Sequence, residues 1–312
     1  MADWGTRALE RRLGDGLRAR LPGWMAETIM FFAKQAWAAL FGLLILAAIV
    51  ISKAIWQPDW ALTRYDALVI FAVVTQILMI WSKLESWEEA RVILIFHVTG
   101  TVMEWFKVSH GSWSYPEAGY MMIYGVPLFS GFMYASVGSY VARATRIFDM
   151  KFAPYPPLWM TFAFGALCYI NFFSHQLVFE IPYTDGMIFD LPDIRVPLFA
   201  ASILLFGRTR VWFFAGKKAR WLPLPLAALA CAFVLWVAEY IGSTLTATWL
   251  YAGQQQFQTV NWAKMGSWYL LQFVAFTTVT LVSRSALIHH VITPNDRDDI
   301  IGRDAGVAPA PR

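Results

Sequence analysis

The sequence predicts an all-α membrane protein: a polytopic transmembrane helical bundle of about eight helices, expected as two parallel four-helix repeats behind an N-terminal amphipathic interfacial helix. Three observations carry this. Hydrophobic residues make up 58% of the chain and charged residues 15%, well under the roughly 25% charged of soluble domains. Apolar runs near the ~20 residues needed for one crossing recur along the chain. The 25 basic residues divide sharply between alternate connections.

The spans are expected at 32–52, 66–82, 91–107, 121–142, 157–174, 196–214, 222–245 and 267–287. They are separated by Pro, Gly and charge, as at Gln57-Pro58-Asp59, Tyr115-Pro116-Glu117 and 154–157. With 16 Trp, the chain has anchors for two wet interfaces. One set of connections holds 20 of the Lys and Arg; the other has only Lys53, Arg64, Lys107, Arg195 and Lys264. Under the positive-inside rule both termini are then cytoplasmic, which requires an even number of crossings. The net charge of +4 is spread over one side and argues against a nucleic-acid partner; the expected partners are membrane lipids and a hydrophobic small molecule.

Three segments follow. Residues 1–30 are a basic cytoplasmic lead in which Leu9, Leu13, Leu17 and Leu21 recur every four residues among arginines, the pattern of a helix lying on headgroups. A partly disordered basic tail is the competing reading. Residues 31–290 are the transmembrane domain, and 291–312 a disordered cytoplasmic tail. Cys168 and Cys231 fall inside apolar runs and read as small buried hydrophobes.

The chemistry concentrates on two helices. Glu104 is followed after nine residues by Trp113 and after eleven by Tyr115; Glu239 is followed after ten by Trp249 and after twelve by Tyr251. The recurrence, four helices apart, suggests a parallel duplication. Carboxylates within apolar helices are costly and default to function, so Glu104 and Glu239 are the candidate catalytic pair, with His97 on the face of Glu104 as a third. Trp113, Tyr115, Lys107, His110, Asn171, His175, Trp249, Tyr251 and Lys264 gather on the same side as candidate substrate-binding residues. Blander readings stand beside these. Glu104 and Lys107 have the spacing of an ion pair, the aromatic residues that of an interfacial belt, and His97 suits a helix–helix hydrogen bond.

Gly131, Ala135, Gly138 and Ala142 share one helical face, where another helix can approach closely, and Pro127 suits a first helical turn. No phosphate loop, dinucleotide fingerprint, zinc motif or nucleophile elbow is present, so no cofactor or metal is expected.

The strings KLESWEEA, HVTGTVMEWFK, GSWSYPEAG, GVPLFSGFMYASVGSY, RATRIFD, NFFSHQ, LLFGRTRVWF and KMGSWYLL resemble a bacterial integral membrane family, domain of unknown function 817, over roughly 35–287. That resemblance implies an inner-membrane protein and carries no activity. A membrane Glu, an aromatic turn and a Val-Pro-Leu-led helix are similar in layout to membrane carotenoid hydratases and lycopene cyclases, in which acidic groups protonate a polyene.

The leading expectation is an intramembrane enzyme doing acid–base chemistry on a lipid or isoprenoid-like substrate with Glu104 and Glu239. The rivals are a small-solute transporter or channel coupling protons or cations through the same pair, and a non-catalytic membrane scaffold.

Overall fold

Local signals in the sequence start and stop the helices. Thr63 caps the helix α4 below by accepting from the Asp66 amide, and Ser86 with Glu89 forms a reciprocal capping box ahead of α5. The computed structural model describes residues 4–174, 178–180, 188–190, 192–216, 219–254 and 260–292. The expected tail lies outside the described residues apart from its first two positions.

In chain order the helices are α1 (Trp4–Arg20), α2 (Gly23–Ala38), α3 (Leu40–Ile55), α4 (Arg64–Trp81), α5 (Trp87–Ser109), α6 (Phe129–Ile147), α7 (Leu158–Ser174), α8 (Arg195–Phe206), α9 (Leu224–Glu239) and α10 (Ala263–Val279). A π-helical turn, Tyr240–Leu245, extends α9. Three helices, Arg64–Trp81, Trp87–Ser109 and Leu224–Leu245, are long and apolar enough to cross a membrane. The pair α2 and α3, bent by 71° at Ala39, makes a fourth if taken as one span. Large apolar side chains such as Ile77, Leu94, Leu204 and Val234 lie more than half exposed, an outward face suited to lipid rather than water.

The structure is mostly helical, as expected, and among the described residues nine short strands join the helices. They are β1 (Trp113–Ser114), β2 (Met122–Ile123), β3 (Val126–Pro127), β4 (Lys151–Ala153), β5 (Val178–Glu180), β6 (Ile188–Asp190), β7 (Arg210–Phe214), β8 (Ala219–Pro223) and β9 (Leu250–Tyr251). The helix expected over 121–142 starts at Phe129 instead. Tyr124 and Gly125 both take positive φ (47° and 81°) and turn β2 back onto β3, as a tight hairpin requires; Pro127 therefore lies in a strand. The helix expected over 196–214 stops at Phe206, because residues 210–214 pair with β4 and β8 in a three-stranded sheet. The helix expected over 267–287 covers Ala263–Val279.

The connecting strands form separate small groups toward two ends of the molecule. One end carries β1–β3 and β9, the other the β4–β7–β8 sheet. One apolar core is built largely from α3–α6, and a second from α7–α10. The most extensive helix interface is α5 against α6. There the small-residue stripe acts as expected: a Cβ on Gly131 would meet the His97 ring at 2.6 Å, and one on Gly138 the Phe96 ring at 2.5 Å. The halves are tied together by Arg64, which bonds Glu117 at 2.6 Å and Thr248 at 3.2 Å, and by the Tyr65 hydroxyl, which donates to the Thr248 carbonyl at 2.7 Å.

Candidate functional site

Both glutamates are placed by the way their helices end. After α5, Gly111 takes φ +67°, and the Ser112 and Gly111 amides return to the Lys107 and Val108 carbonyls at 2.9 and 3.0 Å. This left-handed cap reverses the chain, so β1 carries Trp113 and Tyr115 back over Glu104. After the π turn, Ala247 takes φ +47° and the Thr248 amide returns to the Gly242 carbonyl at 2.9 Å. In both halves the left-handed residue stands two positions before the Trp. A π turn holds one more residue than an α turn, and Glu239 precedes Trp249 by ten residues where Glu104 precedes Trp113 by nine.

Glu104 is 3% exposed. Trp113 Nε1 and the Tyr115 hydroxyl donate to its Oε2 at 2.7 and 2.8 Å, and the Tyr134 hydroxyl donates to Oε1 at 2.7 Å. Glu239 is held alike. Trp249 Nε1 donates to its Oε2 at 3.3 Å, the Tyr251 hydroxyl donates to the same oxygen, and Trp268 approaches as a further donor. Tyr134 and Trp268 are each the sixth residue of their helices, α6 and α10. An indole N–H can only donate, so in each cage the carboxyl group is the acceptor. Burial first, then the charge of the adjacent glutamate, holds the Tyr115 and Tyr251 hydroxyls well above their ordinary pKa; both remain protonated donors.

The two units meet directly. β1 pairs antiparallel with β9, Trp113 opposite Tyr251 and Ser114 opposite Leu250, and the Trp113 and Tyr251 rings stand 5.8 Å apart. Lys264 lies over both, 3.6 Å from the Tyr251 ring centre and 5.6 Å from that of Trp113, in cation–π geometry. The carboxylates are close enough for their charges to interact.

Both open on one half-enclosed cavity of about 380 Å³, within the size range of small-molecule sites. Of the residues expected from sequence, Glu104, Glu239, Lys107, Trp113, Tyr115, Asn171, Trp249, Tyr251 and Lys264 line it. His97 does not: it lies two turns from Glu104 against Phe132, ring centres 4.3 Å apart. His110 is exposed and stacked on Phe106. His175 lies outside the described residues. No Glu104–Lys107 ion pair forms, since the aromatic donors occupy the carboxylate. Among the described residues no cluster of three or more His, Cys, Asp or Glu suited to a metal occurs.

Residues 27–276 match the family described as Protein of unknown function (DUF817). The chain belongs to this family. A DUF817 relative from Bacillus subtilis (strain 168), Uncharacterized protein YoaT, is 38% identical over 254 residues, covering 81% of this chain and 90% of that protein. No solved structure matches.

Tyr134, Trp268 and Arg195 also line the cavity and stand outside the candidate set. Tyr134 had a signal: Gly100, one turn before Glu104, leaves the space its ring fills. Trp268 follows Glu239 by 29 residues, much as Tyr134 follows Glu104 by 30. Arg195 is held by Asp193, whose carboxyl its hydrogen bonds hold down at about 2. Asn171 accepts from the Ile194 amide at 2.9 Å and so positions that segment.

Proposed function

We propose that the chain is an intramembrane enzyme performing acid–base chemistry on a lipid or isoprenoid-like substrate, with Glu104 and Glu239 as the proton-transferring pair. The observation that carries this is their joint opening onto one cavity whose remaining wall is largely apolar, formed by Ile45, Leu46 and Ile49 of α3 with Leu235 and Ala238 of α9. Bonded to aromatic donors, the two are suited to exchange a proton with a bound substrate, as acid or as base. Trp113 and Tyr115 shape the pocket, and ring faces stabilise developing positive charge.

In the same reading the eight helices α3–α10 cross a bacterial cytoplasmic membrane with both termini inside, as two parallel repeats. The matching caps, the one-residue π insertion and the equivalent places of Tyr134 and Trp268 support the duplication. The test compares lipid extracts of a deletion strain expressing the native chain, Glu104→Gln or Glu239→Gln. Accumulation of one lipid species in both variants is expected; variants with native expression and a native lipid profile refute the proposal.

A second reading has one observation of its own: the helix loosens from α to π immediately after Glu239, a local unwinding of the kind that flanks ion sites in transporters. Proton-coupled solute uptake by reconstituted liposomes, abolished in Glu239→Gln, favours it over catalysis.

A further inference from the structure

The polar end of the cavity carries more positive charge than its immediate contacts neutralise. Lys107 is 4% exposed and lines the cavity. Among the described residues its ammonium has no hydrogen bond and no carboxylate oxygen within 4.0 Å. Its charged neighbours are Lys264 and Arg195 and, with a smaller effect, the Asp193 carboxylate. Lys264 has no ion pair within that distance either and rests on ring faces. Arg195 is paired with Asp193 at 2.5 Å and still reaches Ser267 at 3.4 Å. A buried ammonium without a partner is costly, and three cations converging on one space make a site for an anion. Glu239 and Glu104 act on Lys264 through space without direct contact, each carboxyl being bonded to its own aromatic donors.

Beyond the carboxylates the wall turns apolar at Leu46 and Leu235. Their helices α3 and α9 carry outward-facing Leu43, Val50 and Val234, all exposed. α3 packs on α2, α4 and α6 and meets the second half chiefly at the π turn, leaving this side the one by which a hydrocarbon chain reaches lipid.

We infer that the cavity binds an amphiphile with an anionic phosphate-like head and a hydrocarbon chain, the head between Lys107 and Lys264 and the chain between α3 and α9. This names the substrate class for the acid–base site and rests on that reading of the cavity.

The experiment uses full-length protein in nanodiscs of neutral lipid, with Trp fluorescence as the signal, titrated with dodecyl phosphate, dodecanol or inorganic phosphate. Saturable binding of dodecyl phosphate is expected, at least about tenfold tighter than either other probe. Lys107→Gln and Lys264→Gln should each weaken it at least about tenfold, and Lys107→Arg much less. If the Gln variants fail to fold, the native affinity for dodecyl phosphate should still fall with added salt while that for dodecanol stays constant. Equal binding of dodecanol, or native binding by the folded Lys→Gln variants, overturns the inference. Inorganic phosphate binding as tightly as dodecyl phosphate overturns the amphiphile and marks a small-anion site. Absent dodecyl phosphate binding with inactive Glu→Gln variants refutes the anionic head alone. Intact binding with fully active Glu→Gln variants refutes the acid–base role alone.

Discussion

Gly100→Ala tests how a close helix contact serves the site. A Cβ at Gly100 would stand 2.6, 2.7 and 2.8 Å from Tyr134 Cβ, Cγ and Cδ2, where carbon contacts are ordinarily about 3.5–4.0 Å. The overlap, about 1 Å, falls on the root of the side chain rather than a flexible end. Either α5 and α6 separate, or Tyr134 turns away from Glu104 and gives up its 2.7 Å bond. Overpacking costs about 1–3 kcal/mol and a lost hydrogen bond to a charged group about 1.5–3 kcal/mol. The expected loss is therefore about 1–3 kcal/mol, read as the shift in sodium dodecyl sulfate mole fraction at half-unfolding in mixed micelles. Tyr134→Phe removes the hydroxyl and keeps the ring. If Gly100→Ala acts through that bond, the double variant should be more stable than additivity predicts by about 1 kcal/mol or more. Additive losses within about 0.5 kcal/mol would show that Tyr134 keeps its hold on Glu104, and the reasoning fails.

At the opposite end Arg143 is wholly buried, 4.0 Å from Glu85 and bonded to the Trp37 carbonyl at 2.7 Å. Glu85→Gln should cost about 3–5 kcal/mol by stranding that cation, and adding Arg143→Met should recover at least half in the same micelle titration. The Asp193 carboxyl, held below its ordinary 3.8 at about 2 by Arg195, contributes stability that is present above pH 3.8 and lost as pH falls through about 2. Asp193→Asn should flatten the stability profile in that window, and an unchanged acid limb would count against the contact. Deleting Leu245 should convert the π turn to an α turn while β9 stays paired with β1. Folded yield should stay near native, in contrast to a one-residue deletion at Val234, and equal losses for both would argue against the insertion.

Much of the molecule was legible before its tertiary structure. Hydropathy separates the apolar helices and their connections, because burying backbone in lipid demands long internally bonded runs. The Glu–Trp–Tyr spacing exposed both halves of the site, since a carboxylate in an apolar helix needs donors and the nearest lie just beyond the helix end. Other features depend on distant contacts. Strands two residues long, such as β1 and β9, carry no period to read; pairing across more than a hundred positions creates them. Residues 210–214 are apolar enough to continue a helix, and only β4 and β8 on either side make them a strand. Arg143 reads as one of many basic residues near a helix end until folding closes α6 around it beside Glu85. The convergence of Lys107, Arg195 and Lys264 is likewise invisible along the chain, where they stand on three separate helices. Sequence by itself determined the helical membrane class and named both carboxylates, because these follow from local composition and spacing. Tertiary structure alone decided that the two carboxylates share one cavity and that cations gather at its polar end, because both depend on how the two halves close on each other.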